Sequence, residues 1–477
     1  MTTAELIYGS VYVSMAFLLA AGIVFGLGVL LQAERNYGVW IAPLLVPIAA
    51  LGISVSTLLS GRSLKYASID LNLQTSGLSS EGSWVLRSIT LTMLGICATA
   101  VISRWFKNRA PLEANSTQIF IAFMAFYVCN NVLNSAFGTE PVFAHTMFYA
   151  LVVFAGAYVT SQSPLSNLVS CAKFGLAGMM VLSLLVAVIK PELAVQPDYR
   201  GWVPGLNSRL WGVGSNPNSI GPLALVLLLC EYLQPYRRRW MRWSVVAVAA
   251  AVFLYAQSKT VFVAAAGMTL ILAWYRVGKA GRGIDMRFAL LLLLIGSGVV
   301  GSFLVLDVGR IADRLFASQA GTDIATLSGR WQIWSVASNE WLRNPLFGYG
   351  PDIWGPEFRQ RIGMQSAFSA HNQLMHSLSS AGTLGAVTLC IYIFYLGCGA
   401  FRMSRQTRGV SVALFALVVA RCITETPLTL GTLFSGDFLT HLLLFQIVVR
   451  KPMEGGAERH AAGTVPTALP AQALSVR

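Results

Sequence analysis

Residues 371–400, HNQLMHSLSSAGTLGAVTLCIYIFYLGCGA, contain no Asp, Glu, Lys or Arg. The apolar run from Leu374 to Ala400 exceeds the roughly 20 residues a helix needs to cross a hydrocarbon core. A surface helix of a soluble protein keeps a charged face opposite its apolar stripe, and this segment has none. It is a membrane span. Working outward, thirteen stretches qualify as spans: 9–31, 39–60, 84–103, 117–137, 142–160, 168–189, 219–234, 243–257, 260–275, 288–307, 374–400, 410–424 and 434–449. The fold class is therefore an all-α polytopic membrane protein with about 12–13 transmembrane helices, and no internal repeat is evident.

Composition agrees. Hydrophobic residues make up 55% and charged residues 11% of the 477, against roughly 25% charged in soluble domains. With a mean hydropathy of +0.63, the chain lacks the polar surface to cover one soluble core. The first span is too long, and lacks the basic flank and cleavage site, to be a removed signal peptide. Cys97, Cys129, Cys171, Cys230, Cys390, Cys398 and Cys422 lie in or beside apolar runs without a CxxC pattern. They read as small buried apolar residues, not as a disulfide or metal framework. The net charge of +14 would point to nucleic acid in a soluble protein; here it reflects loop charges that set orientation.

Of the 34 Lys and Arg residues, 19 fall on one side of the thirteen spans and 12 on the other, while Arg87, Lys173 and Arg421 lie within spans. The majority side is expected to be cytoplasmic, which places the N-terminus outside. From Lys451 onward the tail is small, polar and Pro-containing, and is expected to be disordered.

Half of the 12 external charges sit in one segment, 308–371: Arg310, Arg314, Arg330, Arg343, Arg359 and Arg361. Arg200 and Arg209 occupy the other long external loop, 190–218. Guanidinium matches phosphate bidentately and stays charged at any working pH. An anionic group handled at the outer face is one reading. Solvated arginines paired with Asp313, Asp323, Glu340, Asp352 and Glu357 are the other, and charge does not separate them. Within this segment Ser328 can cap a helix carrying Trp331, Trp334 and Trp341, with Gln332, Ser335, Asn339 and Arg343 opposite. Such a helix either lies in the headgroup plane as the wall of a cavity or covers the ends of the bundle.

His371 opens the span quoted above. His371, Met375, Leu378, Gly382 and Gly385 fall on one helix face by 3/4 spacing, and the glycines would admit a neighbouring helix. Imidazole can take a proton near neutral pH, although a lone interfacial His is more often structural. His376 reads as core or as support for the site, and His145 and His441 as core.

Read as H-[NSQ]-x9-G-x2-[GTY], residues 371–385 resemble the signature of the O-antigen ligase and Wzy-type polymerase superfamily. The resemblance extends over roughly 200–430. It takes in Arg209-Leu210-Trp211-Gly212 with Asn216-Pro217-Asn218, then Ser258-Lys259-Thr260, where Lys259 departs from the usual arginine. It also includes Thr326-Leu327-Ser328-Gly329-Arg330 and Asn344-Pro345-Leu346-Phe347-Gly348-Tyr349-Gly350. The closest motifs are those of exopolysaccharide polymerases. The N-terminal spans match only in hydropathy.

The resemblance implies N-terminal helices over 1–200, a ligase/polymerase-like core over 201–449 containing the periplasmic loop 308–371, and a cytoplasmic tail over 450–477. It implies a glycosyltransferase of GT-C-like architecture in the bacterial inner membrane, with its active site facing the periplasm. The donor would be an undecaprenyl-diphosphate-linked oligosaccharide, and neither metal nor cofactor would take part. Because a diphosphate leaving group gathers negative charge, Arg209, Lys259 and Arg330 are expected to bind it. His371 would be the base that deprotonates the acceptor glycan in an inverting transfer. Asn372 would orient the acceptor or the imidazole, and Arg421 with Glu425 would form a supporting ion pair. Pathways of this type also imply a flippase and a chain-length regulator as partners. The alternatives are a ligase that transfers the glycan to lipid A-core, and a flippase or transporter of the same lipid-linked substrate.

Overall fold

The computed structural model describes residues 40–65, 80–106, 113–199, 203, 205–277, 330–365 and 367–452. The spans expected at 9–31 and 288–307 lie outside these residues, as do Arg200, Arg310, Arg314, Ser328 and most of the tail. Each of the other eleven spans falls on a helix.

In chain order the helices are α1 (Ile41–Leu59), α2 (Ser80–Phe106), α3 (Ala114–Tyr127) and a π-helical turn (Val128–Leu133) continued by α4 (Asn134–Phe137). Next come α5 (Met147–Val159), α6 (Leu165–Ile189), the short α7 (Pro191–Ala194), α8 (Pro217–Leu233), α9 (Arg239–Ala256) and α10 (Lys259–Val277). The last group is α11 (Arg330–Arg343), α12 (Pro356–Arg361), α13 (Gln373–Arg402), α14 (Val410–Thr424) and α15 (Gly436–Val448). Among the described residues the sheet is one antiparallel pair, β1 (Val195–Gln196) with β2 (Arg209–Leu210). Among the described residues, five stretches are long and apolar enough to cross a membrane: Ile41–Leu59, Ser83–Phe106, Ala114–Phe137, Leu165–Ile189 and Gln373–Arg402. The chain is an all-α polytopic membrane protein.

One apolar core runs from Leu45 in α1 to Val449 after α15. At its centre Phe123, Phe154 and Phe445 pack with Tyr392 and His441. The Tyr392 hydroxyl lies 2.6 Å from His441 Nε2, so His441 belongs to the core as expected. His145 does not, being exposed before α5 with its ring edge-on to Tyr149. Cys390 and Cys398 are likewise exposed. They lie on the outer face of α13, where a span meets lipid.

Each helix end falls at one of two poles. At one pole Arg402 pairs with Glu113 at 3.0 Å, and Arg450 donates to the Ser163 carbonyl and hydroxyl. Lys173, buried in α6, pairs with Glu231 of α8 at 2.9 Å and sits over the Tyr236 ring. The opposite pole carries the loops 60–65, 138–146, 190–216, 344–372 and 425–435. There Arg62 is buried and gives its guanidinium wholly to backbone oxygens, those of Leu193, Gly212, Gly214 and Ser215 at 2.7–3.1 Å. Burial without a carboxylate pushes its pKa down to about 10. Gln257, fully buried in the left-handed turn between α9 and α10, fixes the same loop by donating to the Ser208 and Leu206 carbonyls.

Candidate active site

Asn218 and Glu425 tie the loop-rich pole together. Pro217 starts α8, its ring pre-set for the first helical position, so Asn218 lies in the first turn with its side chain free of capping. Its Oδ1 accepts from Arg209 Nη2 at 3.0 Å and from Ser258 Oγ at 2.8 Å, while its Nδ2 donates to Glu425 Oε1 at 3.0 Å. The other carboxylate oxygen of Glu425 lies 3.2 Å from His371 Nδ1. Four segments distant in sequence thus meet through two side chains.

An ionised carboxylate can only accept, so Nδ1 carries the imidazole proton and Nε2 presents its lone pair. That is the tautomer a general base needs, held by a third group. Burial alone would raise the Glu425 pKa. The hydrogen bond from His371, the charge the imidazole carries when it is protonated, and the charges of Arg421 and Arg330 outweigh burial and hold the carboxyl below its usual range. Burial lowers the Arg209 pKa, with Tyr199 and Glu425 opposing it.

His371 does not stand on the helix face expected from the 3/4 spacing. Asn372 is the N-cap of α13, accepting from the Met375 amide at 3.1 Å, and the helix begins at Gln373. His371 therefore precedes the helix, in the left-handed region at φ 48°. That conformation costs a non-glycine residue about 1–2 kcal/mol, and such strain clusters at functional sites. Asn372 also donates to the Ile423 carbonyl at 3.2 Å, so in this structure it caps and braces rather than facing His371.

The cations divide into committed and uncommitted. Arg421 does not pair with Glu425. It grips both oxygens of Asp437 at 2.7 and 2.9 Å and donates to the Asn218 carbonyl. A buried guanidinium takes the partner that offers a bidentate fork, and Asp437 at the start of α15 does so. Arg343 pairs with Glu340, Arg361 with Glu140 and the Tyr349 hydroxyl, and Arg359 donates to the Gln365 carbonyl over the Phe368 ring. Arg209 gives Nε to the Ala256 carbonyl and Nη2 to Asn218. Arg330, half-buried at the start of α11, makes no hydrogen bond among the described residues and lies within electrostatic range of Glu425. Lys259 is exposed at the start of α10, next to Ser258, with no described partner for its ammonium.

The tryptophan helix forms over Arg330–Arg343, and Gln332, Ser335, Asn339 and Arg343 are exposed as expected. Its tryptophans do not make one stripe. Ile333, Ala337 and Glu340 are the buried face. Trp334 donates to the Ala370 carbonyl at 2.9 Å, beside His371, Trp341 donates to Thr383 Oγ1 at 3.2 Å, and Trp331 is 71% exposed. The helix is clamped onto α13.

Gly382 breaks α13 at φ 66°, ψ −163°, a region essentially confined to glycine. The backbone of 345–350 fills the break. Tyr349 and Gly350 donate to the Ser379 and Ser380 carbonyls at 2.8 and 3.0 Å, and Thr383 donates to the Pro345 carbonyl at 2.7 Å. The close approach at Gly382 is thus by this loop and not by a helix; at Gly385 the neighbour is Asn130 of the π-helical turn.

Sequence reasoning selected His371, Glu425, Arg209 and Arg330, which the fold gathers, and passed over Asn218, Ser258, Asp437 and Arg62. The signal for Asn218 was the Asn216-Pro217-Asn218 helix start. Arg62 left none. No curated protein matches the chain significantly. The family described as O-antigen ligase matches residues 244–390, from within α9 to within α13. That match takes in Lys259, Arg330 and His371, so this multi-pass membrane protein is similar to the O-antigen ligase family over those residues.

Proposed function

We propose that the protein is a polysaccharide polymerase of the bacterial inner membrane. It joins undecaprenyl-diphosphate-linked oligosaccharide repeat units at the periplasmic face. The observation that carries this reading is the Glu425 hub, which holds a base-competent imidazole among cations that retain free donors.

The acceptor hydroxyl gives its proton to His371 Nε2 as its oxygen attacks the anomeric carbon of the donor sugar. The bond from that carbon to the phosphate oxygen breaks on the opposite face, so the anomeric centre inverts. Undecaprenyl diphosphate leaves with the bonding electrons. Arg330 and Lys259, with uncommitted donors, and Arg209, with Nη1 in reserve, stabilise the charge on its oxygens. Loss of one such fixed donor costs about 3–4 kcal/mol of transition-state stabilisation. Glu425 holds the imidazole and balances the charge it gains. Arg421 and Asp437 anchor Asn218, which spaces Arg209 from Glu425.

The test is purified protein with a lipid-diphosphate-linked repeat unit as sole substrate, in EDTA, on a gel that resolves chain length. A ladder of products is expected. Transfer only after lipid A-core is added would make the protein a ligase. Inactivity of folded protein in both assays would favour either a carrier of the same lipid or a transferase that works only with a flippase or chain-length regulator, and adding those partners back separates the two.

A further inference from the structure

Next to the Glu425 hub lies a cavity of about 350 Å³ with a different chemical character. Asn130, Asn131 and Asn134 line it from the π-helical turn and α4, and Gln373 and His376 from the first turn of α13. Thr426 and Thr429 close it from the loop after α14. Aromatic surface comes from Phe126, Trp354 and Phe368. Among the described lining residues there is no Lys or Arg, and Asp352 at the rim is the one carboxylate.

Such walls exclude a diphosphate. The Asn130, Asn131 and Asn134 amide nitrogens already donate to backbone carbonyls, so their oxygens, with the hydroxyls, beside aromatic faces, suit the alternating hydroxyl and C–H surfaces of a sugar ring. Three polar atoms of the lining are buried and unpartnered among the described residues: Asn134 Oδ1, Trp354 Nε1 and His376 Nδ1. Asn134 and Trp354 are more than nine-tenths buried. Native structures rarely leave such atoms unpaired, and the set offers both acceptors and a donor to a ligand with hydroxyls. A π-helical segment inside a span also recurs at functional sites.

The cavity adjoins the proposed base. Ser369 lines it and accepts from the His371 amide at 3.2 Å; Gln373 lines it two residues beyond His371; Thr426 follows Glu425. Arg209 and Arg421 bond to Asn218 on the other side of the same hub. A donor sugar must keep its anomeric carbon near the cations that take its diphosphate, which leaves to the acceptor the side whose described lining holds no Lys or Arg and where Arg359, stacked on Phe368, is already bound to the Gln365 carbonyl.

We propose that this cavity binds a neutral sugar ring of the acceptor glycan through the amides of Asn130, Asn131, Asn134 and Gln373 and the His376 imidazole. The acceptor assignment rests on reading His371 as the base; the neutral-sugar chemistry does not.

Gly431 gives a clean way to block the site. It lines the cavity, and a Cβ there meets nothing within 4 Å, so Gly431→Trp can start a bulky side chain at the cavity wall without a clash at its first atom. The probes are methyl hexosides, methyl N-acetylhexosaminides and a methyl hexuronate, studied by saturation-transfer NMR on the full chain in detergent. At least one neutral glycoside is expected to bind wild type and His371→Ala alike, and to lose binding at least tenfold in Gly431→Trp and in Asn131→Ala, with all variants melting near the wild type. No neutral glycoside bound at 10-fold molar excess over a millimolar protein sample, equal binding by the blocked variant, or preference for the hexuronate would each overturn the site. Transfer to a soluble, lipid-free repeat-unit glycan then tests its role. Gly431→Trp should raise KM for that glycan at least tenfold with donor KM unchanged, and the reverse pattern would give the cavity to the donor. Sugar binding without any transfer would defeat the polymerase reading and leave the sugar site standing.

Discussion

At His371 the backbone, the hydrogen bond and the charge environment all serve one atom, Nε2. His371→Ala should leave the protein folded and lower kcat by about 10²–10⁴, the span usual for a general base, when initial rates are compared at equal membrane abundance. Glu425→Gln keeps the shape, but its amide can donate to Nδ1 and hold the proton on Nε2, the wrong tautomer. A kcat loss of about a hundredfold with little change in KM is expected, and wild-type turnover would remove Glu425 from the mechanism. The sign of its effect on stability follows from its depressed pKa. A carboxyl held low in the folded state stabilises fully above its unfolded value and loses that contribution as pH falls through the folded one. The Tm advantage of wild type over Glu425→Gln should therefore narrow only below about pH 4. Arg330→Lys tests phosphate recognition at the least committed guanidinium. Losing the bidentate fork should lower kcat/KM at least tenfold with Tm unchanged, and equal activity would make Arg330 a structural charge.

At the scale of elements, α13 and the 344–350 segment form one unit. The helix is broken at Gly382, and the freed carbonyls and amides are satisfied by Pro345, Tyr349 and Gly350. Asn344 fastens the segment in turn to the Phe137 carbonyl at 3.0 Å. A Cβ on Gly382 would lie 2.3 Å from the Leu346 carbonyl carbon, and the conformation itself excludes other residues. Gly382→Ala should cost about 3 kcal/mol or more, read as a lower Tm and as protease access between α11 and α13. Gly385→Ala meets the Ala381 side chain and Asn130 Oδ1 instead, with no backbone strain, and should be milder. Two glycines three residues apart in one signature thus do different work. Spacing shows that they recur, whereas only the fold shows that one admits a loop and the other a side chain.

Across the whole molecule the loop-rich pole that carries the proposed site depends on groups far from His371. Arg62 holds the carbonyls of the 193–215 loop, which carries Arg209 into the hub. Arg62→Ala removes a buried charge with five hydrogen bonds and should cost about 3 kcal/mol. Activity should fall with Tm, whereas Arg330→Lys lowers activity alone; an Arg62 variant with unchanged Tm would show the loop to be held otherwise. The spans were legible because lipid demands long uncharged runs, a property of the chain that needs no partner to be seen. His371 and the arginines were legible because their residue types stood against the local trend. The partners were not. Arg421 chose Asp437 over the nearer-in-sequence Glu425, Asn218 became a hub, and Arg62 vanished into backbone oxygens. Each depends on which atoms meet across intervals of up to about two hundred residues. Hydropathy and motif order thus determined that this chain spans a membrane and resembles the O-antigen ligase family over part of its length. Which carboxylate holds the histidine, which arginines keep free donors and where a polar cavity opens were decided only by tertiary packing, because hydrogen bonds form between neighbours in space and not in sequence.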